Sequence, residues 1–291
     1  MFHGSIPALV TPFKNGAIDR DAFATLIEQQ IEGGSSALVP CGTTGESATL
    51  SHSEHREVVE LCIAVAAGRV PVIAGAGSNA TQEAIELVEH AKSAGADAAL
   101  VICPYYNRPD QAGLEAHFTA INDAVALPLV VYNVPSRTAC DLMPETVGRL
   151  AHLPNIIGIK DATGDLSRVS HHAALSQGQQ FVQLSGDDPS ALGHRGMGGT
   201  GCISVTANIA PHLCAQMHAL FDAGELAEAQ ALEAKLIALH YAMFASPSPG
   251  PAKYILAKRG LCEPNVRLPI AAPDEAARTQ IDAAMAAAGL N

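Results

Sequence analysis

The sequence is poor in basic residues. It has 17 Lys and Arg against 29 Asp and Glu in 291 residues, a formal net charge of −12. A surface of this sign repels a polyanion, so nucleic acid is not expected as a partner. No apolar run approaches the ~20 residues that cross a bilayer, and the start, Met1-Phe2-His3-Gly4, lacks the cationic stretch of a signal peptide. We therefore expect no membrane association and a cytoplasmic location.

Cysteine and histidine patterns typical of disulfides or metal sites are also missing. None of the twelve histidines lies in a His-Glu-x-x-His pattern, and the pair His52 and His55 has no Cys or Asp-rich partner nearby. The seven cysteines are odd in number and widely spaced, which indicates small buried side chains in a reducing compartment. They are Cys41, Cys62, Cys103, Cys140, Cys202, Cys214 and Cys262. We predict neither a metal nor a cofactor.

Short apolar runs that alternate with longer helical patterns predict the fold. With 48% hydrophobic residues the chain can bury a large core. Eight runs are predicted as strands, at residues 6–10, 37–40, 70–74, 98–103, 129–133, 156–160, 181–185 and 202–205. Eight βα units that finish near Ala223 predict an α/β fold, the (β/α)8 TIM barrel. A doubly wound parallel sheet is the alternative.

Helical patterns fill the intervals and continue beyond the last strand. Within the barrel they cover residues 20–32, 53–67, 81–94 and 114–126, and Ser51 with Glu54 forms a capping-box pattern before one of them. Further on, Ala-rich helical patterns cover residues 225–245 and 275–287, joined by a Pro-rich stretch at 246–251. We predict a barrel at residues 1–224 and an appended C-terminal helical region at residues 225–291.

Lys160 is the sharpest candidate for chemistry, because the active site of such a barrel lies at the carboxyl ends of its strands. A lysine that closes a buried strand is a candidate amine nucleophile for Schiff-base formation. Strand alternation puts Gly158 on the same face, where a missing side chain is expected to leave room below Lys160. The alternative is an ion pair with Asp161 or Asp187.

Two glycine-containing turns are candidate anion sites. The turn Gly42-Thr43-Thr44-Gly45 offers backbone N–H groups and two hydroxyls suited to a small carboxylate, although its threonines equally suit capping of the next segment. Residues 197–201 lack a Walker lysine and dinucleotide spacing, which favours a turn entering a strand over a phosphate site.

Tyr132 lies at the end of the fifth predicted strand, and Arg137 lies in the loop after it. Tyr132 can relay a proton if neighbouring hydroxyls assist it, because a lone phenol is a weak base. The fork of Arg137 suits a bidentate contact with a carboxylate. Packing of the tyrosine and solvation of the arginine are the alternatives.

Together these motifs resemble the dihydrodipicolinate synthase family, within the lysine-dependent pyruvate aldolases that include N-acetylneuraminate lyase. The likeness runs from residues 4–13 to residues 267–269. The Gly-Thr-Thr-Gly-Glu-Ser run at 42–47 and the Lys160 strand mark the superfamily. The run at 132–138, which contains Arg137, is more particular to the synthase.

The resemblance implies a lyase of lysine (diaminopimelate) biosynthesis that condenses pyruvate with L-aspartate semialdehyde and gives 4-hydroxy-tetrahydrodipicolinate. Lys160 would form the Schiff base, loss of a methyl proton would give an enamine, and this carbon would attack the aldehyde. Thr44, Tyr132 and Tyr106 would form a hydroxyl relay. The implied substrate-binding residues are Thr43, Thr44, Arg137, Gly186 and Ile203.

The resemblance also implies assembly and regulation. The expected assembly is a homotetramer, a dimer of dimers in which Tyr106 serves the neighbouring subunit. In an extended segment the rings of Tyr105 and Tyr106 would point in opposite directions. L-lysine would bind as an allosteric inhibitor at residues that alone equally suit helix capping. These are Ser47, Ala48, His52, His55, Gly77, Asn79, Glu83 and Tyr105.

Two alternative functions stay open from the sequence. Another Schiff-base pyruvate aldolase, acting on a sugar acid, would keep Lys160 and Tyr132 without needing Arg137. A catalytically silent lysine sensor would keep only the scaffold and the oligomer. The chain departs from the family pattern at Thr200, where histidine is frequent, and at Ser248-Pro249, where Asn-Pro is common; neither position touches the expected chemistry.

Overall fold

The computed structural model describes residues 2–290, which form two compact units. The first unit comprises Phe2, His3 and Val72–Ile203, and the second comprises Gly4–Pro71 and residues 204–290. Met1 and Asn291 lie outside the described residues. They are the outermost residues of the two predicted domains, and Met1 also begins the segment that we expect not to be a signal peptide. The boundary at residue 224 stays a prediction.

Strands and helices alternate along most of the described chain. The strands are β1 (Gly4–Pro7), β2 (Phe13–Lys14), β3 (Ala17–Ile18), β4 (Ile73–Gly75), β5 (Ala98–Ile102), β6 (Leu129–Asn133), β7 (Ile156–Asp161), β8 (Val182–Ser185) and β9 (Gly201–Ser204). The helices are α1 (Arg20–Glu32), α2 (His52–Ala66), α3 (Thr81–Ala94), α4 (Gln111–Ala124), α5 (Pro135–Thr138), α6 (Pro144–Leu150), α7 (Ser167–Leu175), α8 (Ala191–Gly196), α9 (Pro211–Asp222), α10 (Leu226–Ala242), α11 (Gly250–Lys258) and α12 (Glu275–Ala287).

The first unit is built on parallel strands in sequential order. Strands β4 to β9 pair each with the next, and every pair is parallel. Parallel neighbours need crossover connections, and helices α3 to α8 supply them between these strands. The βα alternation predicted for this part of the chain is therefore confirmed, with β6 and α3 at the predicted bounds.

The second unit corrects the prediction of a strand at residues 37–40. Single-residue bridges form at Leu38 and Val39 in place of a strand: Val39 bridges Ala8, and the Leu38 N–H donates to the Pro71 carbonyl at 2.9 Å. Pro40 has no N–H to donate, and Cys41 has φ 56°, so the extended segment ends at once. Sequence analysis also missed the β2–β3 hairpin, whose Asn15-Gly16 turn has positive φ at both residues, as such short hairpins require.

The C-terminal helices belong to the core of the second unit. Leu236 of α10, Ile255 of α11 and Ile281 of α12 lie in one buried apolar cluster with Val10 and Leu26. Helix α11 begins inside the stretch predicted as a Pro-rich connection, because prolines are tolerated in the first turn of a helix, where N–H groups have no helical partner. The helical character predicted after residue 224 is confirmed.

Three further expectations concern the capping box, the cysteines and membrane-spanning helices. The Ser51 N–H donates to Glu54 Oε2 at 2.8 Å and the Glu54 N–H to Ser51 Oγ at 3.3 Å, so the capping box before α2 is confirmed. All seven cysteines are thiols; Cys140 and Cys262 are partly exposed and the other five are buried. Among residues 2–290, no helix combines the length and apolarity that a membrane span requires.

Candidate active site

Lys160 and Tyr132 lie side by side at the ends of neighbouring strands. They are register partners on β7 and β6. The Lys160 Nζ lies 4.1 Å from the centroid of the Tyr132 ring. Both residues are 6% exposed. The amine and the aromatic ring therefore share one buried face at the carboxyl edge of the sheet, where the sequence placed its catalytic candidates.

The backbone after β8 lies against the Lys160 side chain. A Cβ atom at Gly186 would lie 2.8 Å from Lys160 Cε, closer than atoms normally pack. The side chains of Lys160 and Ala162 therefore leave no space for a side chain at Gly186. Ile203, on β9, is 1% exposed.

Gly158 does not leave the room below Lys160 that we expected. A Cβ there would come within 2.2 Å of Val182 Cγ2. The missing side chain is used for the close approach of β8.

The neighbouring carboxylates have other partners than Lys160. Asp161 accepts from Arg168 Nε at 3.0 Å and from the Thr163 N–H at 2.8 Å. The Asp187 side chain accepts from the Ser190 hydroxyl at 2.5 Å. These two carboxylates thus do not form the ion pair that we considered for Lys160. Lys160 faces the Tyr132 ring instead.

Arg137 lies on the short helix α5, with its side chain exposed. The loop that follows is held by Asn133, whose Oδ1 accepts the Leu142 N–H at 3.0 Å and whose Nδ2 donates to Asp141 at 2.7 Å. Asn133 was not singled out from the sequence, although an amide that ends a buried strand is a signal for such a clamp. Cys140 donates to the Pro104 carbonyl at 3.1 Å, which joins the Arg137 segment to the one that carries Tyr105 and Tyr106.

Tyr106 is 90% exposed and has φ 74°. The extended geometry on which we based opposite directions for the two rings is therefore wrong at this residue, because a positive φ lies outside the extended region. Tyr105 is less exposed, at 36%. Tyr106, which we expected in the hydroxyl relay, is thus almost fully exposed in a single chain.

The threonine turn lies in the second unit. The Gly45 N–H donates to the Gly42 carbonyl at 3.0 Å and the Glu46 N–H to the Thr43 carbonyl at 3.1 Å, which makes two overlapping turns. Thr44 is buried and Thr43 partly exposed. Neither threonine side chain caps the 3-10 helix Ser47–Thr49 that follows in the described residues. The capping alternative for these threonines is not what the structure has.

Residues 197–201 form the turn into β9 that the sequence favoured. Gly198 has φ 104°, and the Thr200 N–H donates to the Gln183 carbonyl at 2.7 Å.

The residues expected to bind lysine fall into a set in each unit. In the first unit, Asn79 Nδ2 donates to the Tyr105 carbonyl at 3.1 Å, and the Glu83 carboxylate accepts a bond from Ser78. Ser78, and not Asn79, also accepts the Ala80 N–H at the start of α3. Gly77 packs against β5, because a Cβ there would meet the Ile102 backbone N at 2.4 Å.

In the second unit, Ser47 begins the 3-10 helix, His52 begins α2, Ala48 and His52 are exposed, and His55 is buried. The cap of α2 is Ser51 rather than any of these four.

Sequence reasoning missed one buried ion pair beside the threonine turn. Lys253 Nζ lies 2.5 Å from Glu46 Oε1, and the lysine is 0% exposed. The two residues are far apart along the chain, so no local pattern pairs them. The available signal was a lysine within an apolar helix after residue 250. Among the described residues, no group of three or more His, Cys, Asp or Glu side chains is arranged to hold a metal ion.

Known proteins similar to this chain match it over nearly its whole length. The model of the dihydrodipicolinate synthetase family matches residues 1–288. The chain is 72% identical to the 4-hydroxy-tetrahydrodipicolinate synthase of Hyphomonas neptunium over the whole of both chains. The structure of chloride-inhibited dihydrodipicolinate synthase from Acinetobacter baumannii, complexed with pyruvate, is similar with a TM-score of 0.97 and 44% identity over 100% of both chains. The structure of the Cyanidioschyzon merolae enzyme with lysine bound has a TM-score of 0.95 and 38% identity, covering 100% of this chain and 99% of that one.

The fold is therefore the predicted (β/α)8 barrel with C-terminal helices, and not the doubly wound sheet. The buried Lys160 at the end of a barrel strand has the position expected of an amine nucleophile in a barrel enzyme. The chain belongs to the dihydrodipicolinate synthetase family.

Proposed function

We propose that the chain is a lyase that condenses pyruvate with L-aspartate semialdehyde and gives 4-hydroxy-tetrahydrodipicolinate, a step of lysine and diaminopimelate biosynthesis. Its relatives carry the name of this enzyme, and one of them has been crystallised with pyruvate. The observation that carries the proposal is the buried amine of Lys160 against the Tyr132 ring.

The chemistry begins at the Lys160 amine. It adds to the C2 carbonyl of pyruvate, and loss of water gives an imine. A C3 proton then leaves, and the resulting enamine forms a carbon–carbon bond with the aldehyde carbon of the second substrate. After the carbon–carbon bond forms, the amino group of the semialdehyde attacks the imine carbon and displaces the Lys160 amine. The ring closes, the enzyme is freed, and the 4-hydroxyl is kept because no second water is lost. The burial of Lys160 keeps bulk water away from the imine, and Gly186 lets the pocket wall lie directly against the lysine chain.

Proton transfer is assigned to a relay of Thr44, Tyr132 and Tyr106. A chain of hydroxyls passes a proton without any one member being a strong base. Thr43 and Thr44 hold the pyruvate carboxylate in this proposal, supported by a turn whose backbone is closed by its own hydrogen bonds. Gly186 and Ile203 contribute backbone groups to the pocket.

Arg137 takes the carboxylate of the semialdehyde. Its exposed guanidinium sits on a segment fixed by Asn133 and Cys140, so the fork is free for a bidentate contact while its backbone stays in place.

Borohydride reduction tests the amine. Intact mass after reduction with pyruvate is expected to rise by one pyruvate-derived group per chain, and peptide mapping is expected to find it on Lys160. Lys160→Ala is expected to stay unlabelled, whereas Lys258→Ala, at an exposed position of helix α11, is expected to label like the native chain. An adduct on another lysine overturns the mechanism.

Comparing turnover separates the alternatives. Aspartate semialdehyde as the substrate of the labelled enzyme supports the proposal, and a sugar acid in its place supports the aldolase alternative. An absence of labelling supports the silent sensor.

We also propose L-lysine as an allosteric inhibitor, bound by Ser47, Ala48, His52, His55, Gly77, Asn79, Glu83 and Tyr105. A relative has been crystallised with lysine bound. In the first unit the bond from Asn79 to the Tyr105 carbonyl gives a route to the adjacent relay residue Tyr106. Calorimetry with L-lysine and initial rates test this. No binding at millimolar lysine removes the site, and binding without inhibition removes the coupling.

The assembly is proposed to be a homotetramer of two tight dimers in which Tyr106 completes the neighbour's relay. The 90% exposure of Tyr106 in the single chain supports this, since an isolated relay group in water has no partner hydroxyl to serve. We further propose a cytoplasmic enzyme, a barrel at residues 1–224 and an appended helical region at residues 225–291. Seven cysteines present as thiols support the reducing compartment.

A further inference from the structure

Lys253 is the most completely buried cation described in the second unit. It lies on α11 with 0% exposure, and its Nζ donates to Glu46 Oε1 at 2.5 Å and to the Asn265 carbonyl at 2.8 Å. Burial lowers the pKa of Lys253, while the charge of Glu46 acts in the opposite direction. Such a lysine is costly to keep in a protein interior.

Glu46 connects this cation to the threonine turn. Its N–H donates to the Thr43 carbonyl at 3.1 Å, and its backbone is left-handed, with φ 56°. Its second carboxylate oxygen accepts the Arg267 N–H at 2.8 Å. Both oxygens of one side chain are therefore fixed from the C-terminal region, and the same residue closes the turn of Thr43 and Thr44.

Phe13 and Glu54 complete a balanced cluster. The Phe13 ring lies 4.1 Å from Lys253 Nζ and 4.1 Å from Arg267 Cζ, a cation–π arrangement with both cations. Arg267 is paired with Glu54 at 2.5 Å. Two cations thus contact one ring and each is paired with its own carboxylate, so the formal charge of the four groups is zero, and Glu46, which closes the turn, is held in one of these ion pairs.

Stability alone is a weak reason for this arrangement, because replacing a buried ion pair with apolar side chains of similar size is often neutral or stabilising. We propose that the Lys253–Glu46 pair is a positioning device that fixes the Gly42–Gly45 turn, and that it thereby sets the affinity of the enzyme for the carboxylate of pyruvate. Lys253 and Glu46 are positioning residues that act through Thr43 and Thr44. This inference rests on the role proposed for those threonines.

Four variants of the full-length enzyme test the device. Glu46→Asp keeps the charge and shortens the side chain by one methylene; Glu46→Gln/Lys253→Met removes both charges together and leaves no unpaired one. Thr44→Val is the reference for loss of carboxylate binding. Lys258→Met is the matched control, since Lys258 lies on the same helix in an exposed ion pair with Asp282.

Pyruvate KM, semialdehyde KM, melting temperature and borohydride labelling are measured for each. We expect Glu46→Asp and the double variant to raise the KM for pyruvate about tenfold, as small displacements of binding groups do. Their semialdehyde KM should stay within about twofold of native, and at saturating pyruvate each chain should still take one label. Lys258→Met is expected to keep the native values.

A purely structural pair gives a different pattern. The double variant would then recover the native melting temperature and the native pyruvate KM together. Folded Glu46→Asp and double variants with a native pyruvate KM overturn the inference, while a raised KM in Thr44→Val leaves the proposed function standing. If the native enzyme takes no pyruvate label, the proposed function fails first, and this inference fails with it.

Discussion

At the scale of single residues, the neighbours of Lys160 neither fill the space of its side chain nor pair with its amine. Gly186 has no side chain where Lys160 Cε lies, and the carboxylates of Asp161 and Asp187 bond to other groups. The lysine is left with an aromatic face beside it. With no ion pair to Asp161 or Asp187, the amine has the surroundings that the proposed Schiff-base chemistry requires.

Gly186→Ala is expected to impair imine formation. The new methyl group would sit 2.8 Å from both Lys160 Cε and Ala162 Cβ. The lysine side chain is the more flexible of the two, so we expect it to leave its position. We expect the rate of borohydride-trapped labelling to fall by about a hundredfold, as displacement of a reacting group by about 1 Å does.

Gly196→Ala is the control for that change, because a Cβ there meets nothing within 4 Å. Its labelling rate should equal the native rate. Equal rates in both variants would show that Lys160 has room to move without loss.

At the scale of secondary-structure elements, α2 illustrates how a local signal and a distant contact combine. Ser51 and Glu54 close the capping box, and Arg267 pairs with the same Glu54. The hydrogen bonds from Arg267 lower the pKa of Glu54 to about 2. The start of α2 is thus fixed by its own sequence and also held from the C-terminal region.

Ser51→Ala is expected to lower the free energy of unfolding by about 1 kcal/mol, the usual cost of losing an N-cap hydroxyl. Urea denaturation checks this value. Ser93→Ala, within α3, is the control, because alanine is the better helix former in a helix interior. A native stability for Ser51→Ala would mean that the Arg267 contact alone holds this helix end.

At the scale of the whole molecule, buried histidines make the folded state less stable in acid. Burial lowers the pKa values of His117, His172 and His194 to about 4. In an unfolded chain the ordinary value is 6.5. The unfolded chain therefore binds more protons between these values, so the stability that these groups contribute is full above pH 6.5 and is lost as the pH falls toward 4.

We expect the free energy of unfolding to fall between pH 6.5 and 5 with a slope that approaches about 1.4 kcal/mol per pH unit for each of the three histidines. Denaturation in urea across this range measures it. His117→Phe should remove about one proton from the slope, and His212→Gln, at an exposed position, should leave it unchanged. A flat profile contradicts the assignment.

Subunit complementation is the second expectation at this scale. Chains with Tyr106→Phe and chains with Lys160→Ala are each expected to be nearly inactive. Mixed dimers should regain activity, because one hybrid site then has both groups intact. No recovery in dimers shown by mass to be mixed would place Tyr106 in its own chain's site.

Periodicity and motif spacing in the sequence were enough to predict β6, α1, α3 and α12 at their observed bounds, the capping box, and Lys160 and Tyr132 on adjacent strands. These features depend on short-range order, where side-chain alternation, caps and turn residues act within a few positions. The candidate residues of the active site follow from the same order, since parallel strands end at one edge.

Tertiary structure alone decided the rest. Residues 37–40 have the pattern of a strand but form only single-residue bridges at Leu38 and Val39, and the missing side chain of Gly158 allows the close approach of β8. Tyr106 has a left-handed backbone conformation that no local sequence pattern predicts. The pair of Glu46 and Lys253 joins residues some two hundred positions apart. A buried charge needs an oppositely charged partner, and the fold can supply one from any position along the chain. Spacing in the sequence therefore does not predict such a pair.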